Sequence, residues 1–396
     1  MKKRSVYVYL AVLVGTILLN VAAWNSRSFT DWYVMNILPI WVDSYGRFMG
    51  LFSFSVGEWM LVTGVVLCIG AALLAGVRLT LKILSKGARF REFCRVYHHV
   101  IAWVALGVFV LLTLNCFICY HGTDFATRYF PEKSKTAEGS HEEQVGYTLE
   151  ELLLVRDFVV EQCNSLAKTM ERDEKGNVVY SGDMEAMAVT CMQALGEEYP
   201  QLAGFYPKPK KIYCSGFLSQ QYMQGYFFPF SMEANYNQIM NIMNKPATMC
   251  HELAHLKGFL QEDEANLIGY LACIQSDDPF FQYSGYLSVL NYLDNDYYDA
   301  VSGNREQYLS HVKISTQVRR DNEFLSQETW DTVEKKAVVS TETVEKISDE
   351  IVEATLVMNG VEDGMLSYCR VVGLLLDYYA GQQEEIYLVT SEDALE

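Results

Sequence analysis

The sequence predicts a mainly α-helical protein in two parts, a three-helix transmembrane region followed by a soluble domain with a small edge-strand sheet. Three observations carry this. Three apolar runs of membrane-spanning length fall within the first 120 of 396 residues. The charge then changes sign: residues 1–120 carry eleven Lys/Arg against four Asp/Glu, a balance of +7, and residues 121–396 carry twenty against forty-five, a balance of −25. Finally, from Pro246 almost to the end the apolar spacing is helical, and it contains H-E-x-x-H at His251-Glu252-Leu253-Ala254-His255.

The spans are expected at about 6–24, 56–77 and 100–119, giving a membrane anchor over 1–120. Val21-Ala22-Ala23 also resembles a signal-peptide cleavage site, and the long apolar run favours an uncleaved anchor. Between Asn25 and Ser55 the aromatics Trp32, Tyr33, Trp41, Phe48 and Phe52, together with Pro39, suggest an interfacial, re-entrant or helix-capping segment. Lys2, Lys3 and Arg4, and then Arg78, Lys82, Lys86, Arg89, Arg91 and Arg95, form two basic clusters, against only Arg27 and Arg47 in the intervening loop. The positive-inside rule therefore places the chain after the third span outside the cytoplasm, with the bilayer as partner of the three helices. The expected location is a bacterial cell membrane, as a multi-pass protein.

Residues 121–147 read as a polar linker, 148–380 as the extracytoplasmic domain and 381–396 as an acidic tail. Thr148-Leu149-Glu150-Glu151 has the form of a capping box and opens a helix to about Met170; a second helix runs from Met184 to Glu198. Lys210–Ser215, Tyr226–Phe230 and Met232–Asn237 read as short strands, with Pro229 marking an edge. Helices are expected from Pro246 and over about 262–275, 283–298, 304–312, 326–336, 341–358 and 363–380. The ten cysteines form no paired C-x-x-C, so they suggest no thiolate zinc site; they fit disulfides or buried free thiols equally well. The acidity of the back domain argues against nucleic acid as a partner, since phosphate binding needs a basic face.

On a helix His251 and His255 lie one turn apart on one face, where two imidazoles can grip a single metal ion. Zinc is the expected cofactor. Glu252, next to the first imidazole, suits proton transfer from a water that the metal acidifies. A catalytic zinc needs a third protein ligand. Gly258 can end the helix in a left-handed cap and send the chain back, and two acids then compete. Glu262 shares a helical face with Ala265, Asn266, Gly269 and Cys273, small residues that permit close helix approach. Glu264 is rotated by roughly 200°, towards Ile268 and Leu271. The small stripe favours Glu262 as the ligand and Asn266 as a support for an imidazole N–H. Asp263 and Glu264 are left as first-turn acids complementing the helix dipole. Cys273 shares the Glu262 face and would close the site if it reached the metal. His311, Tyr286, Tyr368 and Arg370 have the side-chain types of a transition-state donor.

His251-Glu252-x-x-His255 followed by Glu262-x-x-Ala265-Asn266 resembles the gluzincin pattern. The chain is more similar still to an uncharacterised family of bacterial membrane-anchored proteins, domain of unknown function 3810 (DUF3810). The similarity rests on the N-terminal spans, Phe228-Pro229-Phe230 with Glu233-Ala234-Asn235, the segment Cys250 to Asn266, and Asn359-Gly360 through Ser367-Tyr368. It implies a zincin-like α+β metallopeptidase domain with no assigned substrate. Only six residues separate His255 from Glu262, a shorter gap than gluzincins use. Metzincins have a similarly close third ligand, and Gln261 stands at their histidine position.

The function expected from these residues is zinc-dependent hydrolysis of a peptide or protein substrate in the cell envelope, with β-augmentation along Tyr226–Asn237 to hold extended substrate. Two other readings stand beside it: a non-catalytic, membrane-tethered zinc-containing binding or sensor protein, and a cell-wall amide hydrolase.

Overall fold

The computed structural model describes residues 3–83, 88–130, 147–359, 370–380 and 386, and these are mainly helical with one three-stranded sheet. The chain forms two compact units. One comprises Met1–Gly122 with Phe228–Glu233, the other Thr123–Phe227 with Ala234–Glu396.

In the first unit three helical stretches are long and apolar enough to cross a membrane: Arg4–Asn25, Val56–Thr80 and Arg89–His121. The basic connection expected over 78–99 is largely helical, because the second helix runs on to Ile83 and the third begins at Ala88. Asn20 Nδ2 donates to Thr113 Oγ1 at 2.8 Å, tying the first span to the third with a bond that apolar surroundings do not weaken. The aromatic segment is also helical, over Arg27–Asn36 from its Ser26 cap, with Pro39 in the first turn of Leu38–Trp41. The Tyr33 hydroxyl donates to the Leu114 carbonyl at 2.9 Å.

The loop Phe228–Glu233 is held within this unit by side chains distant in sequence. Asn115 Nδ2 donates to the Pro229 carbonyl, and the Tyr45 hydroxyl to the Phe230 carbonyl, each at 2.9 Å. The buried Glu233 carboxylate accepts Val56 N–H at 3.2 Å and Gly57 N–H at 2.6 Å, capping the second span where the helix dipole favours negative charge. These bonds correct the expected strand over Tyr226–Phe230. It ends at Phe228, because the next two carbonyls are taken by side chains and not by a ladder.

The strands β1 (Lys210–Ile212), β2 (Gly225–Phe228) and β3 (Glu233–Asn237), whose residues belong to the second unit except Phe228 and Glu233, order as β1-β3-β2, with β1 parallel to β3 and Lys210 opposite Asn235. Thr148 and Glu151 form both halves of a capping box on the helix Leu149–Thr169, and Asp183 caps Met184–Glu198. The histidine helix Lys245–His255, the acid helix Glu262–Ile274 and the long helix Pro279–Ala300 form the core with Leu149–Thr169. Leu253, Leu267, Ile268, Leu271, Leu290 and Leu293 are all fully buried there. The long helix starts four residues before its expected position because Asp278 caps it and Pro279 enters its first turn. The segment taken as a linker begins inside this unit: Phe125–Tyr129 is a short helix capped by Asp124, with Phe125 buried. Residues 131–146, Gly360 through Tyr368 and the acidic tail apart from Ile386 lie outside the described residues. The described cysteines are free thiols.

Arg156, 1 % exposed, joins two of the core helices. It donates to Asp294 at 2.8 Å, to Asp157 at 2.7 Å and to the Val312 carbonyl. Arg156→Ala leaves Asp294 and Asp157 without their cation and is expected to destabilise the fold by about 3–5 kcal/mol. Chemical denaturation monitored by circular dichroism measures it.

Candidate metal centre

The histidine helix opens with Pro246 in its first turn, where a missing N–H loses no bond. Ala247 N–H donates to Ser284 Oγ at 3.1 Å, and Ser284 donates to the Met243 carbonyl, so the long helix pins this start. Nine of the eleven residues are buried, which fixes the helix all round and not along one face. One turn apart, His251 and His255 bring their Nε2 atoms to 3.1 Å from each other.

The helix stops at His255, and Gly258, at φ +89°, turns the chain back through a conformation that favours glycine. The reversal is held from outside. Lys257 Nζ donates to the carbonyls of Ala203 (2.7 Å) and Phe205 (3.1 Å), over the ring of Tyr206, and Gln201 Nε2 donates to the Lys257 carbonyl. The acid helix then begins at Glu262, whose carboxylate lies 3.1 Å from His251 Nε2 and 3.9 Å from His255 Nε2. Among the described residues, His251, His255 and Glu262 form a group able to hold a metal ion, with ligand atoms within 4.8 Å of one another. Tetrahedral zinc with bonds of about 2.0–2.1 Å requires ligand atoms about 3.3 Å apart, close to the separations observed.

The surroundings set the protonation of these atoms. His255 Nδ1 lies 2.7 Å from the Phe259 carbonyl, which can only accept, so Nδ1 carries the proton and Nε2 keeps its lone pair. Burial pushes the His255 pKa down to about 4 against the opposing pull of Glu262, leaving a neutral imidazole. Burial also opposes a charge on His251, but the hydrogen bond and charge of Glu262 outweigh it, with help from Glu252 and a hydrogen bond accepted by the Asn266 side chain, so its pKa is raised. Glu252 is 5 % exposed, and burial pushes its carboxyl up to about 8. Its Oε2 has no hydrogen-bond partner among the described residues. A buried, unpartnered carboxylate oxygen beside two imidazoles and a second carboxylate is a donor set that fits a zinc ion.

Of the two competing acids, Glu262 lies with the histidines. Glu264 instead accepts Phe125 N–H in the interior, where burial raises its pKa to about 8. Asp263 accepts Glu264 N–H at 3.0 Å and pairs with Arg370 at 3.2 Å. Both stand in the first turn, as expected, and in addition they are buried and have specific partners. Cys273 Sγ faces Cys250 Sγ at 3.9 Å and is not in the ligand group. The donor candidates are engaged elsewhere, His311 with Asp157, Tyr286 against Phe158 and Tyr270, and Arg370 with Asp263. Tyr368 lies outside the described residues. Sequence reasoning missed the Phe259 carbonyl, which has no sequence signature, and Gly225, whose signal was a glycine at a strand.

A family model described as a protein of unknown function, DUF3810, matches residues 33–376. The chain belongs to this family. No curated protein and no solved structure matches it. The DUF3810 match runs from Tyr33 in the first unit through His251, His255 and Glu262 to Leu376.

Full-length DUF3810 protein in detergent is expected to hold about one equivalent of zinc, lost in His251→Ala and His255→Ala, as read by elemental analysis. Gly258→Val forces a β-branched residue to φ +89° and is expected to lose the metal while keeping its helical circular dichroism. The pH dependence has a definite sign. Glu264 binds its proton up to about pH 8 when folded, against an ordinary value of 4.5. The folded state therefore binds more protons across that window, and metal-free protein loses stability as pH rises through it. Glu264→Gln is expected to flatten the decline in thermal melts between pH 5 and 8.

Proposed function

We propose that this DUF3810 protein is a membrane-anchored, zinc-dependent metallopeptidase. The observation that carries the reading is the convergence of His251, His255 and Glu262 beside the buried, unpartnered Oε2 of Glu252. Bound zinc supplies a Lewis acid that polarises a scissile carbonyl and acidifies a water. With zinc held by His251, His255 and Glu262, Glu252 would accept a proton from water and return it to the leaving amine. A cation at the cluster lowers the raised pKa of Glu252, so the carboxylate is available as a base near neutral pH. The Phe259 carbonyl and Asn266 hold the two imidazoles from behind. With Cys273 turned to Cys250, the group has three protein ligands among the described residues, the number that leaves a catalytic zinc one open position.

Peptide as the substrate class is supported by β2, which lies at an edge of the sheet with the Phe227 ring centroid 5.9 Å from that of His255. An extended chain adding to that edge runs alongside the cluster. The basic residues Arg78 to Arg95, between the second and third spans, support an extracytoplasmic position for everything after the third span. Envelope or external peptides are then the accessible substrates.

Full-length Glu252→Gln is expected to keep its zinc and lose cleavage by about 10²–10⁴-fold. Terminal proteomics of the cell-surface fraction measures this, as neo-N-termini present in wild type and missing in Glu252→Gln. A folded wild-type protein that takes up no zinc when zinc is supplied, or identical termini in the two strains across growth conditions, sinks the reading.

A further inference from the structure

β2 meets the histidine helix at a glycine. A Cβ at Gly225 would lie 2.4 Å from Glu252 Oε1 and 2.8 Å from its Cδ and Cγ, closer than real Cβ contacts come. The backbone does not require glycine there, because Gly225 is not among the positive-φ residues. Glycine in a strand forgoes side-chain packing and loses more entropy on folding, so its presence needs another reason. The reason on hand is space for the carboxylate.

The strand is pinned on both sides of this contact. Thr248 Oγ1 donates to Gln224 Oε1 at 2.9 Å, one helical turn before Glu252. The Phe227 ring rests beside His255, one turn after it. Asn237 N–H donates to the Gln224 carbonyl at 2.7 Å and holds β2 against β3. Thr248, Glu252 and His255 share one helical face, and they meet Gln224, Gly225 and Phe227 in the same order. The strand cannot back away from Glu252 without giving up these contacts.

We propose that Gly225 is a positioning residue for Glu252. Its missing side chain lets the β2 backbone close against the helix and confine the carboxylate to one place, next to the ligand group and outside it. The inference rests on the reading of Glu252 as the base, and it makes a separate claim about what holds that base.

The test is a double-mutant cycle in full-length, detergent-solubilised, metal-free protein. Gly225→Ala is expected to lower the melting temperature by about 3 °C or more. In a Glu252→Ala background, where the carboxylate is gone, the same change is expected to cost nothing. Equal losses in both backgrounds overturn the proposal. If Gly225→Ala does not fold, recovery of folding in the double variant supports it, and failure of the double variant overturns it. Cobalt(II) reads the position itself. Loaded Gly225→Ala is expected to keep about one equivalent of cobalt with a shifted visible spectrum. Gly225→Ala with Glu252→Asp, one carbon shorter, is expected to return the spectrum towards wild type. A spectrum identical to wild type in Gly225→Ala overturns the positioning role. Cobalt-free wild type would count against the metal reading instead, leaving the melting cycle to decide the contact.

Discussion

Two helix backbones meet beside His251, and the site depends on how closely they meet. A Cβ on Gly269 would lie 2.9 Å from the Ala247 carbonyl oxygen and 3.1 Å from the His251 nitrogen, so the acid helix packs there with no side chain between. Only six residues link His255 to Glu262, and Gly258 supplies the left-handed turn that makes so short a return possible. Lys257 and Gln201 then fasten the turn to carbonyls and so set where the acid helix begins. A wider separation or a longer return would carry Glu262 away from both imidazoles.

Burial sets the electrostatics of that meeting. Taking carboxylates out of water raises their pKa unless an opposite charge compensates, and Glu252 and Glu264 both show the effect. The two resolve it differently. Glu264 accepts a backbone N–H from Phe125 and so ties the first residues of its unit to the core. Glu252 keeps one oxygen without a partner among the described residues, beside His251, His255 and Glu262. A buried polar atom left unpaired is costly, and the proposed metal reading rests on that observation.

The helices were legible in the sequence because their signals are local. Thr148 with Glu151, Asp183 and Pro246 mark starts by satisfying or dispensing with first-turn N–H groups, and apolar spacing marks the buried faces. The loop Phe228–Glu233 was not legible as a loop. Its aromatics read as strand, and what takes its carbonyls out of a ladder is Asn115 and Tyr45, more than a hundred residues earlier. In the same way Asp263 and Glu264 read only as first-turn acids complementing the helix dipole. Only the packing of Phe125 and Arg370 against them gives them partners.

The sequence by itself determined the apolar spans, the change of charge between the two parts, the pairing of His251 and His255 on one helical face, and the place of Glu262 on the face of small residues. Each follows from spacing along a helix or from composition, which the chain carries wherever it folds. Tertiary structure alone decided the tautomer of His255, the lack of a partner for Glu252 Oε2 among the described residues, the turning of Cys273 towards Cys250 and the contact of Gly225 with Glu252. Those depend on backbone atoms and on residues far apart in the chain, and neither leaves a periodic mark in the sequence.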